Sequence, residues 1–368
     1  MASKGSTLLL PKEKRVLSFD FARGCAVLFM IMVHISDLYG SLSYKKSVSE
    51  QIIQFLGHAP CAPVFMFFLG FFTILSPQKS FLSRLKRAVM LFLAGYTLNL
   101  FRLSIPIWLS LQMGLTTQDE LGPYTPLNQF LAFDILQFAG LALIVCFVLQ
   151  DFFTSPAYWL AFATMITLGS PMLWRVNFDN QTVNTVMALL WGGESQGVFF
   201  PLFPWLAFPL LGMVFGYSFK QTTDRNMWQK KLAFPGLALF ILGNYFLPEF
   251  IVDSYALLEP GVVIWIMGFI LIWIWICHLI IETLPSSKFF ELLFYWSKNA
   301  TTIYIIHWII LAWGVMVVGY QKMTTMEILY SIPVLLLIIH LVTRFWLCRH
   351  KFIRSLLTLL SSKKETKI

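Results

Sequence analysis

Arg23 and His34 share one hydrophobic segment, Ser18-Phe-Asp-Phe-Ala-Arg23-Gly-Cys-Ala-Val-Leu-Phe-Met-Ile-Met-Val-His34, with ten residues between them. Eleven helical steps of 100° return to within about 20° of the start, so the two side chains lie on one face about 16 Å apart along the axis. A guanidinium that stays charged suits an anionic group. A neutral imidazole, with a reference pKa of about 6.5, suits taking a proton from a hydroxyl or amine and passing it on. Ionisable groups in lipid are costly and usually face a protein interior or an aqueous cavity, which makes this pair the strongest functional signal in the chain. The bland alternative is an arginine that snorkels to lipid phosphates and a histidine satisfied in a helix core. Asp20, three residues before Arg23, is placed to pair with it near the helix start.

The elements that position these groups are set by composition. Hydrophobic residues make up 58% of the 368-residue chain, aromatics 17% and charged residues only 12%, and the mean hydropathy is +0.72. Such a chain cannot clothe itself in polar surface as a soluble protein does, so the expected fold is an all-α, polytopic transmembrane helix bundle. Hydrophobic runs bounded by charge or by Pro and Gly predict ten spans, near 17–37, 61–77, 88–104, 127–149, 157–174, 198–218, 232–248, 259–281, 299–319 and 328–347, with nine or eleven left open. Segment 178–197 holds an apolar stretch too short to cross and reads as an outer loop or re-entrant piece. The domain division that follows is a cytoplasmic segment over 1–16, a transmembrane domain over 17–347 and a basic cytoplasmic tail over 348–368.

Charge gives a check independent of hydropathy. With both termini cytoplasmic, twenty-one of the 27 Lys and Arg residues fall on the inner side. The outer side receives five, Lys45, Lys46, Arg102, Arg175 and Lys322, and Arg23 is the remaining one. The imbalance supports ten spans and gives the +9 net charge a topological meaning, with anionic lipid headgroups rather than nucleic acid as its partner. Cys25, Cys61, Cys146, Cys277 and Cys348 lie in or beside apolar segments without metal-ligand spacing, so they read as buried small hydrophobes and no metal is expected. The first apolar run is too long for a cleavable leader and is expected to stay as the first span. The Trp and Phe residues read mainly as lipid-facing surface and interfacial belt.

Arg-x10-His at the start of the first span resembles the signature of the acyltransferase type 3 family, whose members move acyl groups to saccharides and other extracytoplasmic acceptors. More of the chain resembles the heparan-alpha-glucosaminide N-acetyltransferase-like family. Its marks here are Ser18-Phe-Asp-Phe-Ala-Arg-Gly24, Val64-Phe-Met-Phe-Phe-Leu-Gly70, Phe133-Asp-Ile-Leu-Gln-Phe-Ala-Gly-Leu-Ala142, Phe200-Pro-Leu-Phe-Pro-Trp-Leu-Ala-Phe-Pro-Leu-Leu-Gly212 and Ser297-Lys-Asn-Ala-Thr-Thr-Ile-Tyr-Ile-Ile-His307. The resemblance implies a membrane acyltransferase of ten or eleven helices that takes acyl-CoA, by default acetyl-CoA, from the cytoplasm and acylates a saccharide or glycolipid amine or hydroxyl on the far side. It implies His34 as catalytic base or acylated relay, Arg23 as a donor-binding group, and Arg84-Leu-Lys-Arg87 as the place of the family's Arg-x-x-Arg pair. In the heparan-related enzymes the catalytic histidine lies instead in the loop between the first two spans. His58, in Gly57-His-Ala-Pro-Cys-Ala-Pro63, therefore stands as a second catalytic candidate, and the role could be shared.

Lower in rank, Asp134, Gln137, Glu194, Asn299 and His307 could line the acceptor cavity, with Trp205 shaping it; Asp134 needs a partner such as Arg102 or a histidine. His278 and His340 read as helix contacts. The expected setting is a bacterial inner or plasma membrane, with a homodimer left open. A multi-span transporter or flippase for a glycan or lipid-linked intermediate is the alternative, although no pair of broken helices in repeated halves supports it.

Overall fold

The computed structural model describes residues 15–77, 79–192, 197–247 and 256–365. Helix α1 (Leu17–Tyr39) carries Arg23 and His34 on one continuous turn pattern. Helices α2 (Val48–His58) and α3 (Ala62–Leu75) follow as a single apolar stretch interrupted at 59–61. Next, α4 (Phe81–Asn99) passes through one π-helical turn, Leu100–Ser104, into α5 (Ile105–Gln112). Two short helices, α6 (Gln118–Leu121) and α7 (Pro126–Phe130), lead to α8 (Ile135–Phe152), α9 (Pro156–Leu173) and α10 (Gln181–Trp191). The rest comprises α11 (Leu202–Trp205), α12 (Ala207–Gln221), α13 (Arg225–Lys231), α14 (Ala233–Tyr245), α15 (Pro260–Thr283), α16 (Lys288–Lys298), α17 (Ala300–Val318) and α18 (Thr325–Glu365). No strand occurs among the described residues, only two isolated bridges, Gly40 with Met323 and Phe133 with Val198. The fold is an all-α, multi-pass membrane bundle.

Local chemistry sets the helix ends. Ser47, Ser80, Ser155 and Ser287 each cap a helix by accepting a backbone N–H within its first turn, and Asp134 does the same for α8, accepting from Ile135 at 2.7 Å. Each of the ten expected spans coincides with a helix. Eight stretches among the described residues are long and apolar enough to cross a membrane, and the segments without that property are α9 and α14. Helix α14 has 13 residues, about 20 Å at 1.5 Å per residue against a hydrocarbon core of about 30 Å.

Local structure departs from the sequence expectation at some points and refines it at others. His58 is not in a loop but closes α2, and segment 178–197 contains the helix α10. Leu-, Lys- and Arg-rich sequence without Gly or Pro carries α18 through residue 347 and on to Glu365. The aromatic residues divide: Phe67, Phe68, Phe71, Phe133, Phe138, Phe208, Phe219 and Trp205 are fully buried and fill the core, while others such as Phe152, Phe234, Phe345 and Trp346 are exposed. Arg102, counted on the outer side at the end of the expected span 88–104, sits inside the π-helical turn and is 3% exposed.

Helix α1 is the hub, packed against α2, α3, α15, α16, α17 and α18. Two glycines of the resemblance motifs explain the pairing of α3 with α12. A Cβ at Gly70 would stand 1.8 Å from the Pro209 carbonyl oxygen, and one at Gly212 would stand 2.0 Å from that of Phe67. Only residues without side chains permit backbones to approach this closely.

Candidate functional site

A cavity of about 2220 Å³ runs beside α1. Its wall follows α1 from Arg23 to Leu38 and the α4–α5 helix from Ser83 to Ser110, so it spans most of the bundle's height. Lys79, Arg84 and Arg87 stand at the end near Arg23, while Glu120, Tyr124 and Lys322 stand at the other. His34 and His58 line the stretch between, as does Asp134. The walls are otherwise mostly apolar, contributed by Met30, Phe65, Leu69, Phe72 and Ala139 among others.

At the basic end, the Arg23 guanidinium lies over the Phe72 ring, 5.5 Å from its centroid. The charge of Asp20 acts on this guanidinium, but Asp20 makes its closest contacts elsewhere. Its carboxylate is paired with Arg15 and accepts from the Ser297 hydroxyl at 2.9 Å, which leaves Arg23 for the cavity. Arg84 holds Asp151 at 2.5 Å and lies over the Phe147 ring at 5.2 Å, and its Nε and Nη1 groups are shielded from solvent with no acceptor among the described residues. Arg87, one turn further along α4, is exposed on the same wall.

Two histidines meet at mid-cavity. His34 Nδ1 lies 2.9 Å from His307 Nε2, with the rings stacked at an interplanar angle of 10°. His307 Nδ1 lies 3.1 Å from the Ile303 carbonyl oxygen, which can only accept. That contact fixes the tautomers of the neutral pair. His307 carries its proton on Nδ1 and accepts at Nε2, so His34 donates from Nδ1 and keeps a lone pair on Nε2. His34 is the member on the cavity wall, and His307 is fully buried behind it. The Trp308 ring closes the layer, with its centroid 4.2 Å from that of His34 and 4.2 Å from Arg102 Cζ.

Arg102 and Asp134 form the buried ion pair anticipated for Asp134, and Tyr304 Oη donates to the same carboxylate oxygen at 3.3 Å. Towards the other end, His58 Nδ1 donates to the Gln54 carbonyl, and the Gln54 amide donates to Asp37 at 2.7 Å and to Glu50 at 2.8 Å. On the rim, the Thr117 backbone N–H and then the Thr116 hydroxyl hold Glu120 below the ordinary glutamate range, so the mouth keeps a carboxylate. Buried Tyr44, which accepts from Ser36 beside Glu50, is pushed up to about 12 by that burial.

The structure thus gathers Arg23, His34, His58, Arg84, Arg87 and Asp134 on one wall. Other expected lining residues stand elsewhere. Trp205 is buried, its indole donating to the Ala256 carbonyl at 3.2 Å; Asn299 joins α16 to α17, its amide donating to Tyr295; His307 acts from behind His34. Gln137 is buried against the Ala132 carbonyl, and Glu194 lies outside the described residues. His278 lies 3.4 Å from Glu282 on its own helix α15, and His340 of α18 accepts from Trp296 of α16 at 3.1 Å, a contact between helices. Sequence reasoning named Arg102 only as a partner for Asp134 and missed Tyr304 and Trp308 as members of the site. The available signal was an arginine inside Asn99-Leu-Phe-Arg-Leu-Ser-Ile105, surrounded by apolar residues rather than flanking them.

Compared with known families, residues 15–254 match the profile described as heparan-alpha-glucosaminide N-acetyltransferase, catalytic. The matched stretch includes every wall residue gathered above and ends before α17 with His307 and Tyr304. A search of curated proteins found no match.

Proposed function

The chain belongs to the heparan-alpha-glucosaminide N-acetyltransferase catalytic family, and we propose that it moves an acetyl group from acetyl-CoA to a saccharide or glycolipid amine or hydroxyl on the opposite membrane face. One observation carries this reading: a single cavity has arginines at one end and a histidine with a bare Nε2 at its middle. Arg23, Arg84 and Arg87 suit the phosphates of the donor, since guanidinium groups grip phosphate through paired N–H bonds and stay charged. The acyl thioester then lies in the apolar middle, where water is scarce and hydrolysis is suppressed.

His34 Nε2 takes the proton of the acceptor as its nitrogen or oxygen bonds to the thioester carbonyl carbon. The carbon–sulfur bond then breaks, and the departing thiolate takes the proton back from His34. The products are an acetylated acceptor and CoA, with His34 restored. Basic residues cluster at the end bearing Arg23, and that end faces the cytoplasm, in a bacterial inner or plasma membrane. His58 lines the same cavity nearer the acceptor and serves the acceptor rather than the proton.

The test is release of CoA thiol by the full-length protein in lipid nanodiscs, with acetyl-CoA and either an amino sugar or a neutral sugar. His34→Ala should lower turnover by about 10²- to 10⁴-fold, the usual worth of a positioned base. His58→Ala should cost under about tenfold, one step of 1.36 kcal/mol. The reverse ranking would move the base to His58, and turnover unaffected by both substitutions would end the enzymatic reading.

A further inference from the structure

Arg102 is 3% exposed, lies on the cavity wall and is only half used. Its Nη2 donates to Asp134 and, at 3.1 Å, to Asn99 Oδ1. Its Nε and Nη1 are shielded from solvent and have no acceptor among the described residues. Buried N–H groups are nearly always bonded, because leaving one unpaired costs about 1–3 kcal/mol and more when the group is charged. A guanidinium kept with spare donors on a cavity wall is therefore suited to a ligand atom that arrives later.

Its place in the backbone points the same way. Arg102 occupies the π-helical turn Leu100–Ser104, a rare distortion that recurs at functional sites. The extra residue of such a turn rotates the side chain away from the register that α4 alone would impose. On this helix Arg102 stands about 27 Å beyond Arg84 at 1.5 Å per residue, so the two arginines cannot grip the same phosphate. Trp308 touches both the Arg102 guanidinium and the His34 ring, which puts the spare donors in the layer of the base.

We propose that Arg102 hydrogen-bonds the carbonyl oxygen of the acyl thioester and stabilises the oxyanion formed when the acceptor attacks. This rests on the acyl-transfer reading above and adds the electrophilic half of the site. The ion pair with Asp134 selects this ligand chemistry. It cancels the net charge of the guanidinium, so the spare N–H groups favour a polarised carbonyl over a free anion. Negative charge gained by that oxygen in the transition state then meets donors already in place. No atom is exchanged with Arg102: the carbonyl π electrons move onto oxygen as the acceptor bonds, and return as the carbon–sulfur bond breaks.

The test is difference infrared spectroscopy of acetyl-CoA labelled with ¹³C at the carbonyl, bound to the full-length protein in nanodiscs without acceptor. The wild type should move the thioester carbonyl stretch to lower frequency. Arg102→Lys, which keeps a cation opposite Asp134 but loses the planar fork, should bind acetyl-CoA within about threefold of wild type yet lose the shift. Its kcat should fall about 10²- to 10³-fold with little change in KM. Donor binding with no carbonyl shift in wild type, or a shift retained in Arg102→Lys, would overturn the role of Arg102 alone. Failure of the wild type to bind acetyl-CoA would overturn this role together with the acyl-transfer reading. Arg102→Met/Asp134→Leu, which keeps the packing without the charges, guards against an unstable lysine variant and should also lack the shift.

Discussion

Replacing His307 tests the tautomer argument without touching a cavity-lining residue. His307→Leu keeps similar bulk behind His34 but removes the acceptor at 2.9 Å. The His34 Nδ1–H then has no partner in a buried position, a loss of about 1–3 kcal/mol. If the imidazole avoids that loss by moving its proton to Nε2, the lone pair facing the acceptor disappears. Both routes lower turnover, and at 1.36 kcal/mol per tenfold the expected fall in kcat is about 5- to 150-fold. The KM for acetyl-CoA should stay within about twofold, because His307 is fully buried and holds no wall position. His307→Gln presents an amide oxygen that can accept from Nδ1–H and should recover most of the loss. Steady-state CoA release by the three proteins in nanodiscs measures all of this. A His307→Leu kcat within about threefold of wild type, or a rise in KM at unchanged kcat, would refute the reasoning.

Other consequences concern the donor end, the ion pair and the helix contacts. Arg84→Gln and Arg87→Gln should each raise the acetyl-CoA KM about tenfold or more at nearly constant kcat, as expected for charged hydrogen bonds worth about 1.5–3 kcal/mol made equally in ground and transition states; saturation kinetics decides. Asp134→Ala strands the Arg102 charge and removes the α8 cap, so thermal unfolding in detergent should show a loss of about 3–5 kcal/mol, largely restored in Arg102→Met/Asp134→Leu. Gly70→Ala forces α3 away from the Pro209 carbonyl and should cost about 1–3 kcal/mol by the same assay, whereas Gly169→Ala, where a Cβ meets nothing within 4 Å, should be nearly silent.

The bundle was legible because apolar runs flanked by Lys and Arg leave few options for a chain in lipid. The shared face of Arg23 and His34 was legible for the same local reason, since both lie on one unbroken helix. What periodicity could not supply was contact between distant segments. His307 follows His34 by 273 positions, and nothing in either neighbourhood announces that the imidazoles stack. Arg102 was counted with the outer-side charges because the charge census treats an arginine near a span end as solvent-facing; the π-helical turn and α5 extend the helix and bury it. Asp20 was judged from its spacing to Arg23, but Arg15 and Ser297 reach its carboxylate first. Sequence spacing ranks candidate partners and tertiary packing chooses among them.

The central claim is that donor and acceptor meet in one cavity from opposite membrane faces. Its most direct test uses proteoliposomes with the acceptor sugar enclosed, ¹⁴C-acetyl-CoA added outside, and the protein sorted by the accessibility of its tagged C-terminus. Label should appear on the enclosed sugar only when the C-terminal face is outside, and should vanish in His34→Ala. Label confined to sugar on the same side as the donor, or uptake of intact acetyl-CoA or sugar without acetylation, would contradict the account.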